Sequence, residues 1–167
     1  MDPAEHRAYG VFKPIGHMVV SFPDAASADN GHAALTAQGT AAADIHRYSA
    51  AQMLAQCDED IARASPAASV GQELNLVKAN RELAAQGFHF LVVRVDDDDI
   101  ARKAAAALQA QGAERAQLYG RFIIEEMITR AADMPQTKES PDTGLDPQTP
   151  SGEEKERAQL RPAEPKP

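Results

Sequence analysis

Five side chains that can hold a small molecule lie in or beside the most apolar segments of the sequence. They are His17, His46, Tyr48, Arg94 and Tyr119. Imidazole, phenol and guanidinium groups orient a ligand through hydrogen bonds, and a pocket needs only a few of them among apolar side chains. The sequence therefore offers these residues as a candidate ligand-binding set, provided that the fold brings them together.

Motifs for catalysis and for cofactor binding are missing from the sequence. Neither of the common Gly-rich phosphate-binding loops occurs, and the nucleophile motif G-x-S-x-G is absent as well. The dispersed histidines and the single Cys57 lack the spacing of a zinc site. We therefore expect no catalytic residue, no cofactor and no metal ion.

Four consecutive carboxylates, Asp96 to Asp99, follow the most apolar segment of the chain. Carboxylates bind hard cations, but the alternating spacing of a calcium loop is not present. Acidic side chains in the first turn of a helix are stabilised by free backbone N–H groups and by the helix dipole. We expect this run to cap a helix, and a metal-binding regulator is the alternative.

Charge and composition exclude several classes of protein. A formal charge of -8 and a pI near 5.1 argue against a general nucleic-acid binder, which needs clustered Lys and Arg. No apolar run is long enough to cross a bilayer, and the pattern of a signal peptide is absent. The single Cys57 is typical of a reducing compartment. We expect a cytoplasmic protein that binds neither nucleic acid nor membrane.

Composition also divides the chain into three segments. Residues 1–15 are predicted to be a weakly ordered lead-in, and residues 16–132 to be one folded domain. Residues 133–167 are rich in Pro and Glu and contain few large apolar side chains. Such a segment cannot bury enough surface to offset the entropy of ordering, so a disordered tail is predicted.

Hydrophobic periodicity within the domain alternates between a period of two and a period of 3.6 residues. The predicted elements are a strand over 17–22, a helix from 24 to 39, a strand over 44–49, a helix from 50, a helix from 66 to 86, a strand over 88–95, a helix over 100–111, a strand over 115–119 and a helix over 122–130. This order predicts an α+β, ferredoxin-like split β-α-β sheet of four strands, with a helical pair inserted between strands two and three and a C-terminal helix. A doubly wound parallel sheet is the competing fold.

The ferredoxin-like order 4-1-3-2 predicts which residues meet. His17, His46, Arg94 and Tyr119 would lie near one edge of the sheet, and His89 at the opposite edge. Strict alternation places Val19, Phe90 and Val92 on a second sheet face that the simple fold leaves uncovered. An exposed apolar face of this kind suggests a homodimer formed through the sheet, a ligand pocket, or coverage by the inserted helices.

The two halves together resemble the family of small bacterial heat-induced, general stress protein domains. The resemblance rests on Val19 to Phe22, the Ala-rich helix ending at Gly39, Asp44 to His46, Gly87, Leu91 to Asp96, Ala104 to Leu108, Gly112-Ala113 and Tyr119 to Arg121. It implies a ferredoxin-like domain with no defined biochemical activity and no catalytic residues. Many members carry a glycine-rich membrane-inserting segment where this chain has a polar helix around Glu73 and Arg81, and this difference argues against a membrane role.

From the sequence we therefore expect a non-enzymatic, stress-associated interaction or regulatory domain that homodimerises. The alternative is a small-molecule-binding protein or cofactor-free enzyme with its pocket on the open sheet face.

Overall fold

The computed structural model describes residues 7–8, 11–12, 14–64, 71–121 and 123–130. These residues form an α+β fold with four α-helices and a five-stranded antiparallel sheet. The helices are α1 (Ala25–Ala37), α2 (Ala50–Arg63), α3 (Gln72–Ala85) and α4 (Asp98–Ala110). The strands are β1 (Arg7–Ala8), β2 (Val11–Phe12), β3 (His17–Phe22), β4 (Ile45–Tyr48), β5 (His89–Arg94), β6 (Arg115–Tyr119) and β7 (Ile124–Ile128). The main sheet has the order β4-β5-β3-β6-β7, and β1 pairs with β2 in a separate two-stranded ladder.

Side-chain caps set where three of the helices begin. The Asp24 carboxylate accepts a hydrogen bond from the Ser27 N–H at 2.7 Å at the start of α1. Ser49 and Gln52 form a reciprocal capping box at the start of α2. Asp97 caps α4, so the acidic run has the capping role that the sequence predicts. These contacts satisfy N–H groups that have no partner within the helix.

One face of the sheet packs on α1 and α4 through an entirely apolar layer. Met18, Val20 and Phe22 on β3 meet Leu108 of α4 in this layer, and all four are fully buried. The three β3 side chains thus lie on the face opposite Val19, in agreement with the alternation along the strand. Gly31 of α1 lies against Phe22, where a Cβ atom would come within 2.7 Å of the ring. The alanines of α1 and α4 thus allow two helices to lie close on the sheet.

The other sheet face is covered by α2 and α3, which is one of the three alternatives that the sequence left open for it. Val19 is 3% exposed, and Phe90 and Val92 are 0% exposed. They pack against Met53 of α2 and Val77 of α3. The two helices inserted between β4 and β5 thus form a third layer of the fold, on the second face of the sheet. The sheet face that suggested a homodimer is therefore buried within a single chain.

The last element that the structure describes is strand β7 and not the predicted helix, and the sheet has five strands where four were predicted. Ile124 pairs with Tyr119, and Ile128 pairs with Ala116 across a bulge. The segment's apolar spacing suits a helix, but its isoleucines favour a strand, and β6 offers a free edge. Glu125 and Glu126 accordingly lie on an edge strand and not in a first helical turn.

Some predictions fall on residues outside the described part of the chain. They are the tail at 133–167, most of the lead-in at 1–15, and the start of the helix predicted from 66. Among the described residues, no helix is long and apolar enough to cross a membrane.

Candidate functional site

The sheet register puts three of the five predicted ligand-binding residues in one row. His17 on β3 lies between Arg94 on β5 and Tyr119 on β6. His46 and Tyr48 lie on the neighbouring edge strand β4, opposite Val92 and Phe90. All five therefore belong to the sheet face that α2 and α3 cover, and His89 lies opposite Phe22 at the other end of β3, as predicted.

Two residues of the row, His17 and Tyr119, are buried, although Tyr119 also borders a small pocket of about 210 Å³. Tyr119 is 1% exposed, and burial raises the pKa of its phenol far above the ordinary range. The Asn80 side chain of α3 hydrogen-bonds to Tyr119 and partly opposes that rise in pKa. His17 is 6% exposed and its Nδ1 lies 3.1 Å from the Ile15 carbonyl oxygen. Both side chains therefore act within the packed layer.

His46 and Tyr48 are half-buried at the sheet edge. Burial raises the pKa of the Tyr48 phenol. Tyr48 packs against the cluster that contains Phe90, so it supports the layer formed by α2 and α3. The five predicted residues share a face but do not converge on one cavity.

Arg94 differs from the other four because its side chain is 60% exposed at the end of β5. Its guanidinium lies 4.0 Å from an Asp44 oxygen and 3.6 Å from an Asp96 oxygen. Both distances exceed the range of a charge-assisted hydrogen bond. Among the described residues the guanidinium donates no hydrogen bond, so its donors remain available to a ligand.

A surface groove of about 780 Å³ lies beside Arg94, and we call it the Arg94 groove. The groove is lined by residues 38–41 after α1, by Asp44 in the short 3-10 turn Ala42–Asp44, by the end of β5, and by one side of α4. Its size falls in the range of ordinary small-molecule sites, which span about 300–1,000 Å³. The groove is larger than two other pockets formed by described residues, which measure about 210 and 390 Å³.

Apolar side chains of α4 form the floor of the Arg94 groove. Ile100 is 46% exposed there, one of the few large apolar side chains that the described surface displays. Ala104 is buried, Ala107 is half-buried, and neither extends past its methyl group. A larger residue at either position would fill the space. The alanine content of α4 thus leaves an apolar depression between charged walls.

Charges of both signs surround this floor. Arg94 and Lys103 supply two cations, and Asp44 and Asp96 supply two carboxylates. Lys103 makes no ion pair with another described residue. The carboxyl end of α1 adds partial negative charge from its terminal carbonyl groups. Among the candidate residues of the sequence, only Arg94 belongs to this groove.

Sequence reasoning missed Lys103, Asp44 and Ile100 as parts of a site. Ile100 stands where the predicted helix begins and reads as one more apolar residue of its inner face. Its position on the outer face becomes visible only when the buried stripe, Ala101, Ala104, Ala105 and Leu108, is known. The exposure of a large apolar side chain next to Arg and Lys is the signal that marks the groove.

Buried polar groups concentrate on the opposite side of the sheet. Those that the structure describes are His17, Ser21, Asp60, Asn80 and Gln117, and each lies on the sheet face or helices of the α2–α3 layer. Asp60 is 1% exposed, and its carboxylate accepts a hydrogen bond from the Gln56 side-chain amide at 3.1 Å. The Ser21 hydroxyl oxygen has no hydrogen-bond partner among the described residues. No group of three or more potential metal ligands occurs in the described ranges.

Cys57 of α2 lies in the same layer and is 3% exposed. Burial, and then the carboxylates of Asp60 and Asp58, raise the pKa of its thiol to about 12. The thiol is therefore protonated and unreactive in the folded protein.

The comparisons with known proteins gave no match for this chain, whether against protein-family models, curated proteins or solved structures.

Proposed function

We propose that the chain is a non-enzymatic, ferredoxin-like binding domain that holds a small amphipathic organic acid in the Arg94 groove. Without β7, the strand order β4-β5-β3-β6 corresponds to the ferredoxin-like order, and this supports the finer fold assignment. The α2–α3 layer then covers the sheet face that the simple fold leaves open. Fold alone does not give function, so the proposal depends on the groove.

The observation that carries the proposal is the combination of an exposed guanidinium, an ammonium group and an apolar floor. Arg94 and Lys103 border the groove, and neither has a hydrogen-bonded carboxylate among the residues that the structure describes. Ile100 and the α4 alanines would accept the apolar part of the ligand. An Arg fork binds a carboxylate with two parallel hydrogen bonds, and such charge-assisted bonds are about twice as strong as neutral ones.

Nuclear magnetic resonance titration of the full chain with octanoate tests the proposal. We expect backbone amide signals of residues 38–41 and of α4 to shift. Arg94→Ala should weaken binding by about tenfold, because a hydrogen bond to a charged group contributes roughly 1.5–3 kcal/mol and exposure reduces it. Arg102→Ala is the matched control, since Arg102 lies on α4, is equally exposed and pairs with Asp99 outside the groove.

A second pair of variants tests the location. Ala107→Trp should fill the groove and abolish binding, whereas Ala110→Trp, one turn on and outside the groove, should leave it intact. Absence of amide shifts in the groove, or equal weakening by Arg94→Ala and Arg102→Ala, would refute the proposal. The latter result would mean that octanoate responds only to net charge.

Self-association, a stress-related role and a cytoplasmic location remain part of the proposal as expectations from the sequence. A homodimer would need a surface other than the second sheet face, because α2 and α3 bury that face. The lone Cys57 supports a reducing compartment. Native mass spectrometry of protein purified from its own host would count subunits and detect a retained acid in one measurement.

A further inference from the structure

The Arg94 groove presents two carboxylates as well as two cations, and a simple organic acid uses only half of this arrangement. Asp44 is part of the same wall as Arg94, with 4.0 Å between their charged atoms. An acid bound to Arg94 would bring its own negative charge close to Asp44. Like charges at such a distance repel, and the repulsion grows as the ligand displaces water.

We propose that the natural ligand is a zwitterion, an α-amino acid with a large apolar side chain, whose ammonium group contacts Asp44. This inference rests on the proposed function and names the substrate class of the same groove. The ligand carboxylate binds Arg94 and Lys103, and its side chain lies on Ile100 and the α4 alanines. Each charged group of the ligand then meets a partner of opposite sign.

The wall opposite α4 strengthens the site for a cation. Residues 38–41 follow the last turn of α1 at the negative end of the helix dipole, and the backbone N–H groups of Gln38, Gly39 and Thr40 donate hydrogen bonds to its terminal carbonyls. Gly39 has φ of +95°, a left-handed conformation that ends the helix and turns the chain toward Asp44. The negative end of the α1 dipole and the Asp44 carboxylate form a suitable environment for an ammonium group, which donates three hydrogen bonds.

The existing ion pairs of Arg94 do not compete strongly with such a ligand. The Asp44 and Asp96 side chains are 39% and 77% exposed, and both contacts are longer than hydrogen bonds. Exposed pairs of this kind stabilise a protein by about 0–1 kcal/mol. A ligand that contacts Arg94 and Asp44 together replaces one loose pair with two closer ones.

Three small molecules of similar shape test the contribution of each charged group of the ligand separately. Phenylalanine carries both groups, 3-phenylpropionate lacks the ammonium group, and phenethylamine lacks the carboxylate. Calorimetric or resonance titration of the full chain should give at least tenfold tighter binding of phenylalanine than of either analogue. Asp44→Asn should remove most of the preference for phenylalanine over 3-phenylpropionate. Asp99→Asn, the matched control on α4 outside the groove, should keep it.

The outcomes distinguish this inference from the proposed function. If 3-phenylpropionate binds as tightly as phenylalanine, the inference that the ligand is a zwitterion is wrong, but the proposal that the groove binds an organic acid still stands. An unchanged preference in Asp44→Asn would also overturn it, since another group would then hold the ammonium. If none of the probes shifts an amide signal of the groove, both proposals fail. The comparison of ligands in the unmodified protein does not depend on whether a variant folds.

Discussion

The α2–α3 layer should open separately from the rest of the fold, and Cys57 can report that opening. The buried polar side chains that the structure describes lie in this layer, whereas the α1–α4 layer is apolar. Polar contacts contribute less net stability per buried group than apolar packing does, and proteins open first where burial is least favourable. The same substitution in each layer, Leu83→Ala in α3 and Leu108→Ala in α4, tests whether the α2–α3 layer opens more readily than the α1–α4 layer.

Both leucines are buried, with exposures of 3% and 0%, so each truncation should cost a similar amount. Buried Leu→Ala changes cost about 2–5 kcal/mol, which corresponds to roughly 30-fold to 5,000-fold in an equilibrium constant. Direct reaction of the folded thiol is slow, because burial raises the pKa of Cys57 to about 12. At pH 8 the thiolate fraction would be about one in ten thousand, so labelling proceeds through the open state.

The assay is the rate of Cys57 labelling by a thiol reagent under native conditions, with global stability measured by denaturant unfolding. Leu83→Ala should increase the labelling rate by the same factor by which its loss of stability raises the equilibrium constant for opening. Leu108→Ala should lower global stability by a comparable amount and leave labelling nearly unchanged. Equal acceleration by both variants would refute the reasoning, because it would mean that the two layers unfold only together.

Two further predictions concern packing and pH. Gly31→Ala should destabilise the protein by about 1–3 kcal/mol in denaturant unfolding, because the new Cβ would clash with the Phe22 ring, even though Ala has the higher helix propensity. Ala33→Gly, the control at an exposed position of the same helix, should cost only about 1 kcal/mol. A Gly31→Ala variant more stable than the unmodified protein would contradict this packing. Burial raises the pKa values of Cys57 and Tyr119 in the folded state, so the unfolded state loses these protons first as the pH rises. The free energy of unfolding should therefore be constant below pH 9 and fall as the pH approaches 12. Denaturant unfolding across this range should show a shallower decline in Cys57→Ala. An unchanged alkaline slope in Cys57→Ala would exclude the thiol as its source.

Local patterns predicted much of the fold because they depend on neighbours in sequence. The strand predicted over 115–119 is observed at Arg115–Tyr119, and the helix predicted from Ala50 begins there. Asp97 and Gly39 marked the start of one helix and the end of another through capping and left-handed backbone. The segment at Ile124–Ile128 was assigned wrongly because its partner strand β6 is a tertiary feature.

The candidate site was predicted less well. Alternation put His17, His46 and Tyr119 on the correct sheet face, but it could not indicate that α2 and α3 would bury that face. Of the predicted set, Arg94 reaches an accessible groove, because it stands at the end of its strand. Lys103 and Asp44 come from elements far apart in sequence, so no motif could join them.

The sequence by itself determined the acidic composition, the order of the elements from β3 to β6, the helix caps and the apolar pattern of the central strands, since each follows from residue type and short-range spacing. Only the tertiary structure decided that the inserted helices form a third layer and that Arg94 and Asp44 share a groove with α4. The physical reason is that an amphipathic helix must bury its apolar face, but its sequence does not specify which surface it covers.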